Sequence, residues 1–554
     1  MLALLLLALL LPVPAPAETV TVTVLATTDT HGFLNPWDYF TRQPAARGLA
    51  VAATLVADVR RETPNTLLVD CGDTIQGSPL ESVHQTAVRD GRTGSPDPMM
   101  LAMNRMGYDA MVVGNHEFNF GLRNLAAARQ AARFPWLSAN TRTGGALAPF
   151  APYVVKTVGG VKVAVIGVTT SAIPDWEKPE QIRGLEWLLP EEGVRLALEE
   201  LEKEKPDVVL AAVHGGLDRD PATGERRPRE RPGENSAWQI AERFPRLAAV
   251  IYGHTHRREE GLRVGNVLLV QPRPWAQDVA RVDLTLAREG GGPWTLTGAS
   301  SRLLPVEPTT PPDPAILEIA RPYHEAAERY LEQPVAESPA ELSGARGRFE
   351  DNALVDAIHE VQLHYARADV SFSSLFDSRV RVPRGPVTVR ALAALYLYDN
   401  ELYAIEGDGR MVRDALENAA RYYRTCPEPS CSHGPLVDRA IADYNYDTAE
   451  GVEYEIDLRQ PEGHRVKGLR YHGAPLRDDE RLRIALNSYR AAGSGGYGMF
   501  RGAKVVWRSG REIRDLMVEY FVARRILPAR PDGNWRLVPP VAVETLVREE
   551  AAAR

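Results

Sequence analysis

The sequence predicts a mixed α/β (α+β) fold in two domains. Three observations carry the prediction. Short β-branched runs alternate with amphipathic helical stretches through the first half. Several of those runs stop at clusters of Gly, Asp and His, which suits loops at the carboxyl ends of parallel strands. A Pro/Thr stretch from Pro308 to Pro314 then breaks the pattern, and 554 residues exceed one ordinary domain.

In chain order, Thr19 to Leu25 alternates Thr and Val as a strand does and leads into Asp29-Thr30-His31-Gly32. Residues 45–62 read as an amphipathic helix with Leu49, Val51, Leu55 and Val59 on one side. A buried strand over 66–70 runs into Gly72-Asp73. A helix over 95–107 and a strand over 109–113 then deliver Gly114-Asn115-His116-Glu117-Phe118-Asn119-Phe120-Gly121. An apolar run from Val161 to Val168 comes next, then a strand that starts at Pro206 and ends in His214. The strand Ala248 to Tyr252 ends at Gly253-His254-Thr255-His256. Strands over 266–271, 278–286 and 294–298 close the first domain near Val306. Beyond the Pro/Thr stretch a helix is predicted over 315–331. The expected division is 18–307, a linker and hinge helix over 308–333, and a second domain over 334–554.

Hydrophobic content of 44% and charged content of 25% mark an ordinary water-exposed protein. A formal net charge of −8 without a basic block argues against a nucleic-acid polymer or an anionic membrane as partner. Met1 to Leu11 is almost all Leu and Ala, followed by Pro12-Val13-Pro14-Ala15-Pro16-Ala17. This pattern predicts a secretory signal peptide over 1–17. The run is too short to span a bilayer, so no stable membrane insertion is expected after cleavage. The expected location is periplasmic or extracellular. In that setting Cys426 and Cys431, in one short loop, are expected to pair, and Cys71 to be a small buried residue.

Five strand-end clusters supply Asp29, His31, Asp73, Asn115, His214, His254 and His256. Each alone is more simply a helix cap, a turn or an interior histidine. Together they form one mixed nitrogen and oxygen donor set without thiolates, which suits Zn, Mn, Fe or Co better than Ca or Mg. Asp73 is the candidate bridge, because each carboxylate oxygen can take one cation. Two divalent cations about 3.5–4 Å apart clamp an in-line displacement at phosphorus, with a bridging hydroxide as nucleophile.

These motifs resemble the calcineurin-like metallophosphoesterases. Their order, with a further C-terminal domain, is similar to the exported 5′-nucleotidase family. The resemblance implies a four-layer α/β/β/α first domain and a C-terminal α/β substrate-binding domain. It implies Asp29, His31, Asp73 and His256 around one cation, and Asp73, Asn115, His214 and His254 around the other. His116 would stabilise the transition state or protonate the leaving oxygen.

Within the family, Asn119 stands where 5′-nucleotidases usually have Asp, and His256 where they usually have Gln. Both departures point to the cyclic-nucleotide branch, which hydrolyses 2′,3′-cyclic nucleotides and 3′-nucleotides. An amide at Asn119 orients the His116 ring through its oxygen without adding a full charge. The resemblance further implies that Tyr398 and Tyr489 sandwich the nucleobase, that Asn400 hydrogen-bonds it and that Arg379 reaches a phosphate. Tyr396 reads as core. The alternatives are a 5′-nucleotidase or UDP-sugar hydrolase, a hydrolase of sulfur-linked groups, and an inactive metal-bound nucleotide-binding protein. A monomer acting on a small nucleotide is expected.

Overall fold

The computed structural model describes residues 18–553 except 145, 148–149, 227–231, 397, 399, 427–430 and 432–434. The leader predicted over 1–17 lies outside the described residues. The chain divides into two compact units. One comprises 1–38 and 42–327; the other comprises 39–41 and 328–554.

The first unit is a sandwich of two sheets. Its strands, in chain order, are β1 (Glu18–Thr27), β2 (Thr66–Asp70), β3 (Ala110–Val112), β4 (Trp136–Leu137), β5 (Tyr153–Val158), β6 (Val161–Thr169), β7 (Val208–His214), β8 (Ala249–Tyr252), β9 (Glu259–Val264), β10 (Val267–Gln271), β11 (Asp278–Arg288) and β12 (Thr295–Pro305). One sheet has the order β12-β11-β1-β2-β3-β4, the other β9-β10-β8-β7-β6-β5. β1 to β4 run parallel, as do β6, β7, β8 and β10. Antiparallel partners flank both sets.

The burial pattern explains the layers. Along β6, Val161, Val163 and Val165 join Val22, Val24, Leu67 and Val69 of the first sheet in the central core. Ala164, Ile166 and Val168, on the other side of the same strand, pack with Val194, Leu198 and Leu201 of the helix Pro190–Leu201. Alternate residues of one strand thus serve two cores, as the pleat requires. The helices Leu49–Glu62 and Pro98–Met106 supply the opposite outer layer. The result is α/β/β/α, and every parallel strand ends at the same edge.

The helix Pro314–Leu331 follows the Pro/Thr stretch. In the second unit, β13 (Val370–Ser374), β14 (Glu401–Asp408), β15 (Asp447–Glu450), β16 (Arg481–Asn487) and β17 (Val505–Glu512) form a sheet of order β15-β13-β16-β14-β17. The helix Ala353–Ala366 packs on β13. Cys426 and Cys431 form a disulfide, and Cys71 is a buried free thiol, both as predicted. Among the described residues no helix is long and apolar enough to cross a membrane.

Candidate metal centre

The loops after β1, β2, β3, β7 and β8 bring all seven predicted ligand side chains into one site. Asp29, His31 and His256 converge in one group, and Asp73, His214 and His254 in a second, with ligand atoms within 4.8 Å of one another in each. Asn115 joins the second group, its Oδ1 lying 3.0 Å from His214 Nε2. His31 Nε2 and His256 Nε2 are 3.0 Å apart, and His256 Nε2 is 3.4 Å from Asp29 Oδ1.

The loops are tied to each other by backbone. Asp29 N–H donates to Gly72 O, His31 N–H to Asp73 O and Gly32 N–H to Thr74 O, at 2.8–2.9 Å. These bonds continue the parallel pairing of β1 with β2 beyond the strand ends. Both carboxylate oxygens of Asp29 also accept from His254 N–H at 3.0 Å.

Close approach requires glycine at two points. A Cβ on Gly114 would lie 2.2 Å from Asp73 Oδ1, and one on Gly253 1.8 Å from Thr28 Oγ1. The predicted ligands themselves bear conformational strain. Asp29, His31, Asp73, His254 and His256 all have φ between 45° and 75°. Left-handed backbone at a non-glycine residue costs about 1 kcal/mol or more, and such strain gathers at functional sites.

A carboxylate that sequence reading left without a role organises the centre. Glu117 is fully buried. It accepts from Asp73 N–H (3.0 Å), Thr74 N–H (2.6 Å), Ile75 N–H (3.3 Å) and Gly114 N–H (2.6 Å). One side chain thereby fixes the loop carrying Asp73 against the loop carrying Asn115 and His116. The acid after Gly-Asn-His was the only signal for it.

The donor chemistry fits cations. His214 Nδ1–H donates to the Cys71 carbonyl at 2.8 Å. A neutral His214 therefore turns its Nε2 lone pair toward Asp73 Oδ2 at 3.1 Å and Asn115 Oδ1 at 3.0 Å. Three acceptors facing one point call for positive charge between them. The same field shows in the titration: burial pulls the His214 ring down, but the Asp73 carboxylate outweighs it and raises the pKa to about 10. Burial and the neighbouring His256 lower His31 to about 4, and burial and His214 lower His254 to about 3. Both rings are thus neutral at neutral pH, the form that ligates metal. Burial pushes the Asp29 carboxyl up, yet the hydrogen bond and charge of His256 bring it down to about 2.

His116 stands at the rim. Its backbone N–H donates to Asp73 Oδ1 at 2.8 Å, its Nε2 lies 4.0 Å from Asp73 Oδ2, and its Nδ1 is 2.6 Å from Asn119 Oδ1. Trp176 covers His254, with ring centroids 5.3 Å apart.

The predicted substrate residues lie in the second unit. Tyr398 and Tyr489 are 44% and 40% exposed, the condition of rings that present a face. Tyr444, which sequence reading missed, is 41% exposed, and its ring centroid is 5.9 Å from that of Tyr398. Buried Arg490 organises this patch. It pairs with Asp447 through two hydrogen bonds of 2.7 and 2.8 Å, donates to Tyr444 O at 2.6 Å and lies 5.3 Å from the Tyr489 ring. The Asn400 side chain hydrogen-bonds Tyr396, which is fully buried as predicted. Arg379 is largely exposed and pairs with Asp377 at 2.9 Å.

A two-sheet sandwich with paired Asp/His clusters at its strand ends defines a metal-dependent phosphoesterase. Residues 22–258 match the calcineurin-like phosphoesterase family, and residues 332–502 match the 5′-nucleotidase C-terminal domain. A 2′,3′-cyclic-nucleotide 2′-phosphodiesterase/3′-nucleotidase of Haemophilus influenzae is 29% identical over 95% of this chain and 90% of its own. A 5′-nucleotidase of Vibrio cholerae is 28% identical over 85% of each chain. Among solved structures, a candidate 5′-nucleotidase from Staphylococcus aureus superposes with a TM-score of 0.67 at 25% identity, covering 94% of this chain and all of that one. The chain thus joins a calcineurin-like phosphoesterase domain to a 5′-nucleotidase C-terminal domain.

Proposed function

We propose that this phosphoesterase hydrolyses 2′,3′-cyclic nucleotides and 3′-nucleotides after export, using two divalent cations. Asp29, His31, Asp73 and His256 hold one cation, and Asp73, Asn115, His214 and His254 the other. When bound, such a pair activates water and neutralises charge on the phosphoryl oxygens. The observation that carries the reading is His214 Nε2 set within 3.1 Å of Asp73 Oδ2 and Asn115 Oδ1 in a centre built from five loops. The leader-like sequence over 1–17 supports export.

The chain's own residues perform the remaining tasks. Glu117 holds Asp73 and Asn115 in register. Trp176 restricts water at His254. His116, as the imidazolium, delivers its Nε2 proton to the departing oxygen, Nε2 lying on the Asp73 side of the ring, and keeps the hydrogen on Nδ1. In the second unit, Tyr398 and Tyr489 take the nucleobase by stacking, which tolerates any base. Asn400 and Arg379 are proposed as base and phosphate contacts. Arg379 must exchange its partner Asp377 for a phosphate to serve.

The Haemophilus influenzae relative, Asn119 and His256 support the cyclic-nucleotide reading. The Vibrio cholerae relative and the Staphylococcus aureus structure favour a second, 5′-nucleotide hydrolysis at the same centre. A panel of 2′,3′-cyclic AMP, 3′-AMP, 5′-AMP and UDP-glucose after metal reconstitution separates them. The expected order of kcat/KM places the cyclic substrate and 3′-AMP first. A clear preference for 5′-AMP or UDP-glucose overturns the assignment in favour of the second reading.

A further inference from the structure

Behind His116 lies a chain of contacts that the proposed chemistry leaves unexplained. His116 Nδ1 faces Asn119 Oδ1, and the Asn119 amide, through Nδ2–H, donates to Glu177 Oε1. Glu177 is only 8% exposed. It sits on the segment after β6, just past the turn Ile173–Asp175. The same segment holds Trp176 against His254, and Gln181 donates through Nε2 to the Asn119 carbonyl. Three side chains of one segment thus bear on the centre, two of them on Asn119.

We propose that Glu177 is a positioning residue that fixes the Asn119 amide and, through it, the tautomer of His116. A primary amide presents an acceptor on one side and two donors on the other, and the two sides are nearly equal in size. Nothing in Asn119 alone decides which side meets His116. A carboxylate accepts only, so Glu177 takes the NH₂ side. Oδ1 is then turned to His116, Nδ1 must carry the hydrogen, and Nε2 is left as the nitrogen facing Asp73. A flipped amide would offer NH₂ to Nδ1, place the hydrogen on Nε2 of the neutral ring and oppose the imidazolium. Asn119 and Glu177 together do what one carboxylate beside the histidine would do, with the charge set one amide further away.

The role assumed for His116 rests on the phosphoesterase reading; the tautomer does not. The test uses the full chain reconstituted with zinc and labelled with ¹⁵N-histidine. Long-range ¹⁵N–¹H correlation spectra report the tautomer of His116, assigned by its loss in His116→Gln. Bis(p-nitrophenyl) phosphate reports kcat and KM. Glu177→Leu is expected to give mixed tautomers and a kcat lower by about 10–100-fold, with KM little changed. Glu177→Gln is expected to rescue both, because its amide oxygen accepts the same bond. Asn119→Asp sets two carboxylates face to face and is expected to lower kcat, and Asn119→Asp with Glu177→Gln to recover it. That pair decides the matter if Glu177→Leu does not fold. A parental tautomer and kcat in Glu177→Leu, a Glu177→Gln defect as large as that of Glu177→Leu, or no recovery in the double variant each overturns the proposal. A parent chain without phosphodiester turnover would instead overturn the function, while the spectra still decide the tautomer.

Discussion

The loops of the metal centre and the tyrosine patch of the second unit are built by opposite means. In the centre, Asp29, Asp73 and His214 are nearly or fully buried, five candidate ligands sit in left-handed backbone, and Glu117 alone receives four backbone donors. In the patch, three tyrosines stand about two-fifths exposed, two of them, Tyr444 and Tyr489, held by Arg490. The contrast separates two demands. Charge development at phosphorus needs groups fixed before substrate arrives. Stacking on a base needs only a flat face and tolerates adjustment.

The largest expected effect comes from the most fixed group. On the proposed reading Asp73→Ala lowers kcat/KM by about 10³-fold, some 4 kcal/mol, and metal analysis finds fewer than two cations per chain. Equal metal content and activity would show that the buried loops are scaffold only. His116→Gln is expected to lower kcat by about 10²-fold or more at full metal content, a split that separates proton delivery from ligation.

Glu117→Ala sharpens the comparison without touching a ligand. It leaves four buried N–H groups of the site without their acceptor. Denaturant titration is expected to show a loss of about 3 kcal/mol, with weaker metal binding alongside. Tyr398→Ala or Tyr489→Ala is expected to raise KM for nucleotides about tenfold and leave hydrolysis of bis(p-nitrophenyl) phosphate unchanged. A loss on both substrates would erase the distinction between the two regions.

The smallest effect tests the second unit alone. His359 is buried between Ser371 Oγ at 3.0 Å and Thr448 Oγ1 at 3.1 Å, and burial lowers its pKa to about 3. Below the ordinary histidine value the unfolded chain binds a proton that the folded chain refuses. Stability therefore falls as pH drops from about 6.5 toward 3, by up to about 1.4 kcal/mol per pH unit. The shift in denaturation midpoint between pH 7 and pH 5 is expected to shrink in His359→Gln.

What was legible in the sequence was local. A β-branched run followed by Gly, Asp or His carries its meaning within ten residues, and such runs placed the inner strands of both sheets and all five loops of the centre, while the edge strands β4, β5 and β9 were not read. What was missed depends on partners far along the chain. Glu117 meets Thr74 across 43 residues and Glu177 meets Asn119 across 58. In a sequence both are ordinary carboxylates, indistinguishable from solvent-facing ones. Tyr444 lay hidden for the same reason, since only folding brings it beside Tyr398.

The left-handed loops tie the protein's lifetime to its surroundings. A chain that holds five side-chain-bearing residues in an unfavourable conformation is less robust than its core would allow. On the proposed reading, cations restore that margin because they bind the folded chain alone, by about 2.7 kcal/mol for each at a hundred times its dissociation constant. Starved of trace metal, the enzyme would lose persistence against heat and proteases as well as turnover. Its abundance would then track mineral supply with no dedicated sensor.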